Sequence, residues 1–346
     1  AFGVLCLATL GVLFYTGSLF GAVGFLLIFA LPYLLKTELP PYATLGERVG
    51  QYVFLLACTL IFIFLITPIL VIMPLSFNAE PYFTFTDGML SFDPSAYSLR
   101  WYWDIFGFGM TDPNATGSAW WQDMWNNSVW IGAFRNSFFI AIMATLLATA
   151  FGTLAALGLS RPEMPFRTAI TSLLISPMIV PLVITATGMF FFYAKQDFFP
   201  FFPEGLVNTY VGLILAHATL GIPFVIITVT ATLTGFDQSL IRASQGLGAS
   251  GLTTFRKVIM PLILPGMISG ALFAFITSLD EVVAVIFLAD VDQRTIPRQM
   301  FSGIREQISP TILAVATVLV LMSIALLTAV ELLRRRTERL RGLSPG

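Results

Sequence analysis

Long apolar intervals recur along this chain, each matching the roughly 20 residues that a helix needs to cross the hydrocarbon core of a bilayer. They run from Gln51 to Leu75, Phe138 to Leu157, Ala169 to Tyr193, Val207 to Leu233, Gly266 to Leu288 and Thr311 to Val330. The pattern predicts an all-α polytopic membrane protein with six crossings in residues 51–341. Ahead of them, Ala1 to Leu35 carries no charge and is longer than one span requires; its Thr16-Gly17-Ser18 break favours two extra helices over one. Residues 1–50 are therefore read as an additional membrane segment followed by a linker. The Glu331 to Arg341 stretch reads as the polar continuation of the last helix.

The polar segments sort by sign. Lys36 and Arg48, Arg161 and Arg167, then Arg242, Arg256 and Lys257, and finally Arg334 to Arg341 mark one side, which the positive-inside rule assigns to the cytoplasm. Glu80, Asp87, Asp93, Asp104, Asp112 and Asp123 place residues 76–130 outside, while Arg242, Arg256 and Lys257 put residues 234–265 inside. Composition agrees with a membrane protein: 57% of the 346 residues are hydrophobic and 11% charged, against about a quarter charged in soluble domains. The net charge of −1 conceals this segregation and supports no nucleic-acid partner. Cys6 and Cys58 sit in apolar stretches, where they read as small core residues and offer no metal set.

All six tryptophans fall within the outer segment, at Trp101, Trp103, Trp120, Trp121, Trp125 and Trp130. Three readings stand: an aromatic belt at the headgroups, a platform for a docking protein, or an entrance whose ring faces favour a cation.

Asp280-Glu281 is the one acidic pair within an apolar interval. A carboxylate in hydrocarbon is costly and faces a partner, a cavity or a substrate. Either the pair is braced by Arg294 or Arg298, or it lines a path for a cationic substrate together with Thr277 and Ser278. If the helix runs unbroken to Leu288, Thr277 and Ala284 share the face between the two acids. His217, the one histidine, reads as an interior residue. Pro177, Pro181 and Pro223 are expected to kink their spans, and Gly266 with Gly270 supplies a small-residue face for close helix packing. No nucleophile or metal constellation stands out. Gly246-Leu247-Gly248-Ala249-Ser250-Gly251 fits G-x-G-x-x-G but lacks the preceding strand and following acid of a dinucleotide site. No lysine follows the glycines of a phosphate-binding loop, so the chain has no ATP site of that kind.

The cytoplasmic block Leu240 to Gly251, followed by Arg256 to Pro261, predicts a short helix over Ser239 to Leu247, a glycine turn, and a second piece leading to proline at the start of a span. Here Arg242-Ala243-Ser244, Gly248 and Val258-Ile259-Met260-Pro261 fall on the spacing Glu-Ala-Ala, three residues, Gly, nine residues, Ile-x-Leu-Pro. This resembles the coupling loop of binding-protein-dependent ABC importer permeases, except that Arg242 replaces the family's Glu, so no contact made by that carboxylate carries over. Ser76-Phe77-Asn78, Tyr97 to Tyr102, Asn136-Ser137, Ser278-Leu279-Asp280-Glu281, Thr295-Ile296-Pro297 and Ser309-Pro310 are similar to the spermidine/putrescine type of that family.

The resemblance implies a six-helix type I ABC importer permease core in the bacterial inner membrane, working by alternating access. The partners it implies are two ATPase subunits that carry ATP and Mg2+, a second or identical permease, and a periplasmic substrate-binding protein. The chain itself would bind no cofactor and catalyse no reaction. Its coupling loop would be Arg242, Ala243, Ser244, Gln245, Gly248 and Pro261; its pathway residues Thr277, Ser278, Asp280 and Glu281; its entrance or docking residues Trp101, Trp103, Trp120 and Trp121. The expected solute is a polyamine or similar organic cation, with iron, opine or amino-acid-like solutes as alternatives. An ion-coupled secondary transporter is the rival class, and it leaves the cytoplasmic loop unexplained.

Overall fold

The computed structural model describes residues 42, 44–161, 163–195, 198, 201–202, 204–234, 239–306 and 309–340. The expected pair of N-terminal helices in Ala1 to Leu35, with Lys36 and Arg341, lies outside them. The described residues form helices joined by turns and loops, and five of the helices are long and apolar enough to cross a membrane, or six if a bent pair counts as one span. Backbone hydrogen bonds closed within each helix are what make this the workable solution in lipid. Contacts divide the chain into two compact units, residues 1–103 with 313–321 and residues 104–312 with 322–346.

In the first unit, α1 (Leu45–Leu75) starts ahead of its apolar run because Thr44 and Glu47 form a reciprocal capping box. Beyond α1 the chain folds around Asn78. Its side chain donates to the carbonyls of Tyr82 (3.2 Å) and Thr84 (3.1 Å) and accepts from the Glu80 N–H (3.0 Å). Its carbonyl accepts from the indole of Trp101 at 2.8 Å, and Ser76 Oγ meets the Tyr102 hydroxyl at 2.7 Å. The Ser76-Phe77-Asn78 and Tyr97 to Tyr102 segments are thus two halves of one turn structure, paired antiparallel at Asn78 and Tyr97.

The second unit opens with α2 (Arg100–Gly107), which begins in the first, and α3 (Ser118–Asn127), then the long α4 (Val129–Leu159) capped by Ser128. Next come α5 (Arg167–Ile179), α6 (Leu182–Tyr193) and α7 (Tyr210–Thr234). Helix α8 (Ser239–Gly246) comes next, followed by α9 (Met260–Asp280), α10 (Val283–Leu288), α11 (Ile296–Glu306) and α12 (Thr311–Leu340). Helix α12 contributes Leu313–Leu321 to the first unit. It continues without a break through the polar Glu331 stretch.

Helices α4, α7 and α9 form the centre of this unit, and small residues let them approach. A Cβ on Gly270 would fall 2.7 Å from the Val225 Cα, one on Gly266 2.9 Å from the Thr228 carbonyl, and one on Gly152 2.7 Å from the Val225 Cβ. The small-residue face anticipated at Gly266 and Gly270 is therefore buried against α7. Two intervals expected as single helices are broken. Ala169 to Tyr193 is the pair α5 and α6, bent by 103° at extended Val180 and Pro181. Pro177 cannot donate to the Leu173 carbonyl, and the Ser176 hydroxyl does so instead at 2.7 Å. Gly266 to Leu288 is likewise not one helix: α9 ends at Asp280, Glu281 is extended (ψ 121°), and α10 follows.

Candidate functional site

The second break is built by the acidic pair itself. Glu281 turns inward and its Oε1 accepts from the buried Ala284 N–H at 2.7 Å, so the carboxylate closes the first turn of α10 as a helix-capping acceptor. Asp280, the last residue of α9, stays exposed. The helical-face reading that placed Thr277 and Ala284 between the two acids does not hold, because the helix stops before Glu281. Bracing by Arg294 or Arg298 is not seen either: Arg294 Nη1 donates to Gln299 Oε1 at 2.8 Å, and Arg298 Nη1 to the carbonyls of Ala289 (2.9 Å) and Asp290 (2.8 Å).

Asp280 opens onto a cavity of about 290 Å3 lined by Thr277, Ile276, Glu281, Val282 and Val283, with Leu182 from the start of α6 across it. Helices α6 and α10 pack together around Ala186, Ala284, Val285 and Leu288. The cavity thus lies where both interrupted spans restart. Irregular backbone at membrane depth is tolerated where it lines a cavity or is buried in protein, and interrupted helices of this kind form solute sites in transporters. Ser278, placed with Thr277 in the pathway by sequence, is buried and bonded to His217 Nδ1 at 2.7 Å, and it does not line the cavity. His217 is interior as expected, and it ties α7 to the last turn of α9. Leu182 and Val283 were not anticipated. Pro181 signalled the first break, whereas nothing but the acids themselves marked the second.

A polar knot closes one end of the bundle. Asn136 of α4 donates to the carbonyls of Asp292 (2.8 Å) and Arg294 (3.0 Å) and accepts from the Tyr210 hydroxyl of α7 (2.9 Å). Ser137 accepts from the Ile296 N–H at 2.8 Å, and Gln293 donates to the Asn208 carbonyl at 3.0 Å. Asn136-Ser137 and Thr295-Ile296-Pro297, far apart in sequence, meet here.

At the opposite end of α7 lies the loop singled out by its spacing. Helix α8 holds Arg242, Ala243, Ser244 and Gln245, and it stops at a turn in which Gly248 takes φ +80°. The N–H groups of Leu247, Gly248 and Ala249 return to the carbonyls of Ala243, Gln245 and Ser244, satisfying the helix end. Ser244 Oγ meets Thr254 Oγ1 at 2.9 Å, clamping α8 to the short helix Gly251–Thr254, whose N-cap is Ser250. A π turn over Phe255–Ile259 then leads into α9, with Pro261 in its first turn, where a missing N–H costs little. Leu240, Ala243 and Leu247 lie along one face of α8 and its turn at helical spacing, and all are exposed.

The tryptophans divide. Trp101 is buried, its indole bonded to Asn78 and its ring 4.1 Å beneath the Arg100 guanidinium, so it belongs to the interior of the turn built around Asn78 and not to an exposed face. Trp130 is buried as well, while Trp103, Trp121 and Trp125 are exposed and Trp120 stacks edge-on against Trp121 at 4.9 Å. Asp123 fastens α3 to the preceding loop: its carboxylate accepts from the Asn127 amide and from the N–H groups of Thr111 and Asp112. Those donors, Asn127 first, hold its carboxyl below the usual range.

Residues 148–339 match the family described as binding-protein-dependent transport system inner membrane component. The chain is 32% identical over 248 residues to the spermidine/putrescine transport system permease protein PotC of Haemophilus influenzae, covering 72% of this chain and 89% of that protein. It is 29% identical over 229 residues to the sulfate transport system permease protein CysT of Salmonella typhimurium, covering 63% and 83%. Among solved structures, a bacterial ABC transporter involved in the import of the acidic polysaccharide alginate superposes with a TM-score of 0.58 at 15% identity, covering 84% of this chain and 99% of that one.

Proposed function

Because this chain belongs to the family of binding-protein-dependent transport inner membrane components and is a permease subunit of an ABC importer, we propose that it carries a polyamine or similar small organic cation by alternating access. The observation that carries the solute class is Asp280: an exposed carboxylate at the mouth of a cavity framed by two interrupted spans. Acidic side chains within membrane spans mark solute or ion pathways and favour a positively charged partner. An ammonium group supplies the charge, while a sulfate-like anion would be repelled. The spermidine/putrescine relative agrees with this reading, and the sulfate relative makes it one that has to be tested.

The energy source is a separate ATPase carrying ATP and Mg2+, which grips α8. Leu240, Ala243 and Leu247 form an apolar stripe with no cover among the described residues, suited to a groove in a soluble subunit. The clamp between Ser244 and Thr254, and the continuous helical path from Gly251 to Asp280, transmit movement of the loop to the break at Glu281. ATP shifts the equilibrium between inward-open and outward-open forms by binding the closed ATPase dimer preferentially. A substrate-binding protein delivers the solute at the outer face, and a second permease completes the pathway.

The test is uptake by proteoliposomes holding the permease pair, the ATPase and the binding protein. ATP-dependent uptake of putrescine or spermidine, with no uptake of sulfate, supports the reading. ATP-dependent uptake of sulfate or a ferric chelate with polyamines excluded would remove it.

A further inference from the structure

A second cavity, of about 240 Å3, lies at the end of the bundle that charge distribution assigns to the outside, and it is not part of the solute path described above. Its polar wall is Asp104 of α2, Arg294 of the loop before α11, Gln299 of α11, and Ser309 with Thr311 at the start of α12; Trp130 supplies apolar wall. It is smaller than the ~300–1,000 Å3 typical of pockets for drug-sized ligands.

The two charges in this wall are of opposite sign and do not pair with each other. Asp104 Oδ2 accepts from the Thr311 hydroxyl, which also meets Ser309 Oγ at 2.8 Å. Arg294 commits one nitrogen, Nη1, to Gln299 Oε1 at 2.8 Å. Its Nε–H is buried and has no acceptor among the described residues. A guanidinium binds a carboxylate best by two parallel N–H groups, and with Nη1 already bonded to Gln299 the edge containing Nε is the one left for it. Asp104 Oδ1 has no partner among the described residues and can take an ammonium.

We propose that this cavity binds a small zwitterion, a free amino acid with its carboxylate on Arg294 and its ammonium on Asp104. Charge excludes the simpler occupants: a polyamine would meet the guanidinium, and an acidic side chain of a docked protein would meet Asp104. The site is thus separate from the path of a cationic solute. A ligand there joins α2, the loop before α11 and the first residue of α12, so its occupancy bears on how the outer ends of these elements are held.

The experiment is calorimetric titration of the complete transporter in nanodiscs with glycine, β-alanine and γ-aminobutyrate, using butyrate and butylamine as single-charge controls. At least one zwitterion is expected to bind about tenfold or more tightly than either control, the effect of one lost charged hydrogen bond. Asp104→Asn and Arg294→Gln should each weaken that binding to a similar degree, and Arg294→Lys should weaken it less than Arg294→Gln. If a variant fails to assemble, the comparison of zwitterions with single-charge controls on the unaltered transporter still decides. The proposal is overturned if no zwitterion binds at millimolar concentration, or if butyrate binds as well as γ-aminobutyrate and Asp104→Asn changes nothing. It is also overturned if zwitterions are silent while Arg294→Gln releases the substrate-binding protein, which would make the cavity a protein contact.

Discussion

Asp280 and Glu281 are neighbours of the same charge, yet the structure assigns them different work, and single substitutions separate the two. Glu281 accepts from the Ala284 N–H, which is buried. Glu281→Ala leaves that donor without an acceptor, a loss of about 1–3 kcal/mol. Glu281→Gln keeps an oxygen at the same place and should cost less, about 1 kcal/mol or below, since it loses charge assistance while keeping a neutral bond. Asp280 is exposed at the end of α9, so Asp280→Asn should change stability by no more than about 0.5 kcal/mol. On the proposed reading its effect belongs to transport. A hydrogen bond to a charged group contributes about 1.5–3 kcal/mol, so removing the carboxylate should weaken a bound cation by roughly 10- to 150-fold. The assay pairs thermal unfolding of the reconstituted complex with the concentration dependence of putrescine uptake. Asp280→Asn should unfold with the parent and show a raised KM, and Glu281→Ala should unfold earlier. Parental KM in Asp280→Asn, or Glu281→Ala no less stable than Asp280→Asn, would refute the division.

Gly248 holds φ +80° with open space around its Cβ position; Gly248→Val should strain the turn by about 1–2 kcal/mol, misplace α8, and leave basal ATP hydrolysis while lowering uptake, read from the ratio of solute moved to ATP split. Gly270→Ala should destabilise the bundle by about 1–3 kcal/mol, because its Cβ would lie 2.7 Å from the Val225 Cα and backbone cannot step aside. Gly132→Ala, with nothing within 4 Å, should be neutral or stabilising by up to ~1 kcal/mol; thermal unfolding compares the two. Single cysteines at Asp112 and Arg161, in a background without Cys6 and Cys58, should label from opposite sides of sealed vesicles, and labelling of both from one side would show the topology to be miscounted.

Much of this protein is legible along the chain because lipid imposes a one-dimensional rule. Any backbone crossing hydrocarbon must close its own hydrogen bonds, so apolar length alone announces the spans at Phe138 to Leu157 and Thr311 to Val330, and basic residues announce a side. The turn at Gly248 was equally local, since helix ends are capped within a few residues. What the chain could not announce were relations between distant segments. Gly266 to Leu288 has the length and composition of a single span, and only the folded protein shows Glu281 leaving the helix to cap α10. Local propensity does not contain that choice, because the capped turn gains its stability from packing against α6 and α7. Tertiary structure likewise separated exposed Asp280 from buried Glu281, and turned Ser278 toward His217 and not toward the cavity beside Asp280. It moved Trp101 from the surface to the interior, where Asn78 accepts its indole N–H. Composition determines what must be buried in lipid; which polar group faces a cavity and which satisfies a neighbour is decided by where the other helices stand.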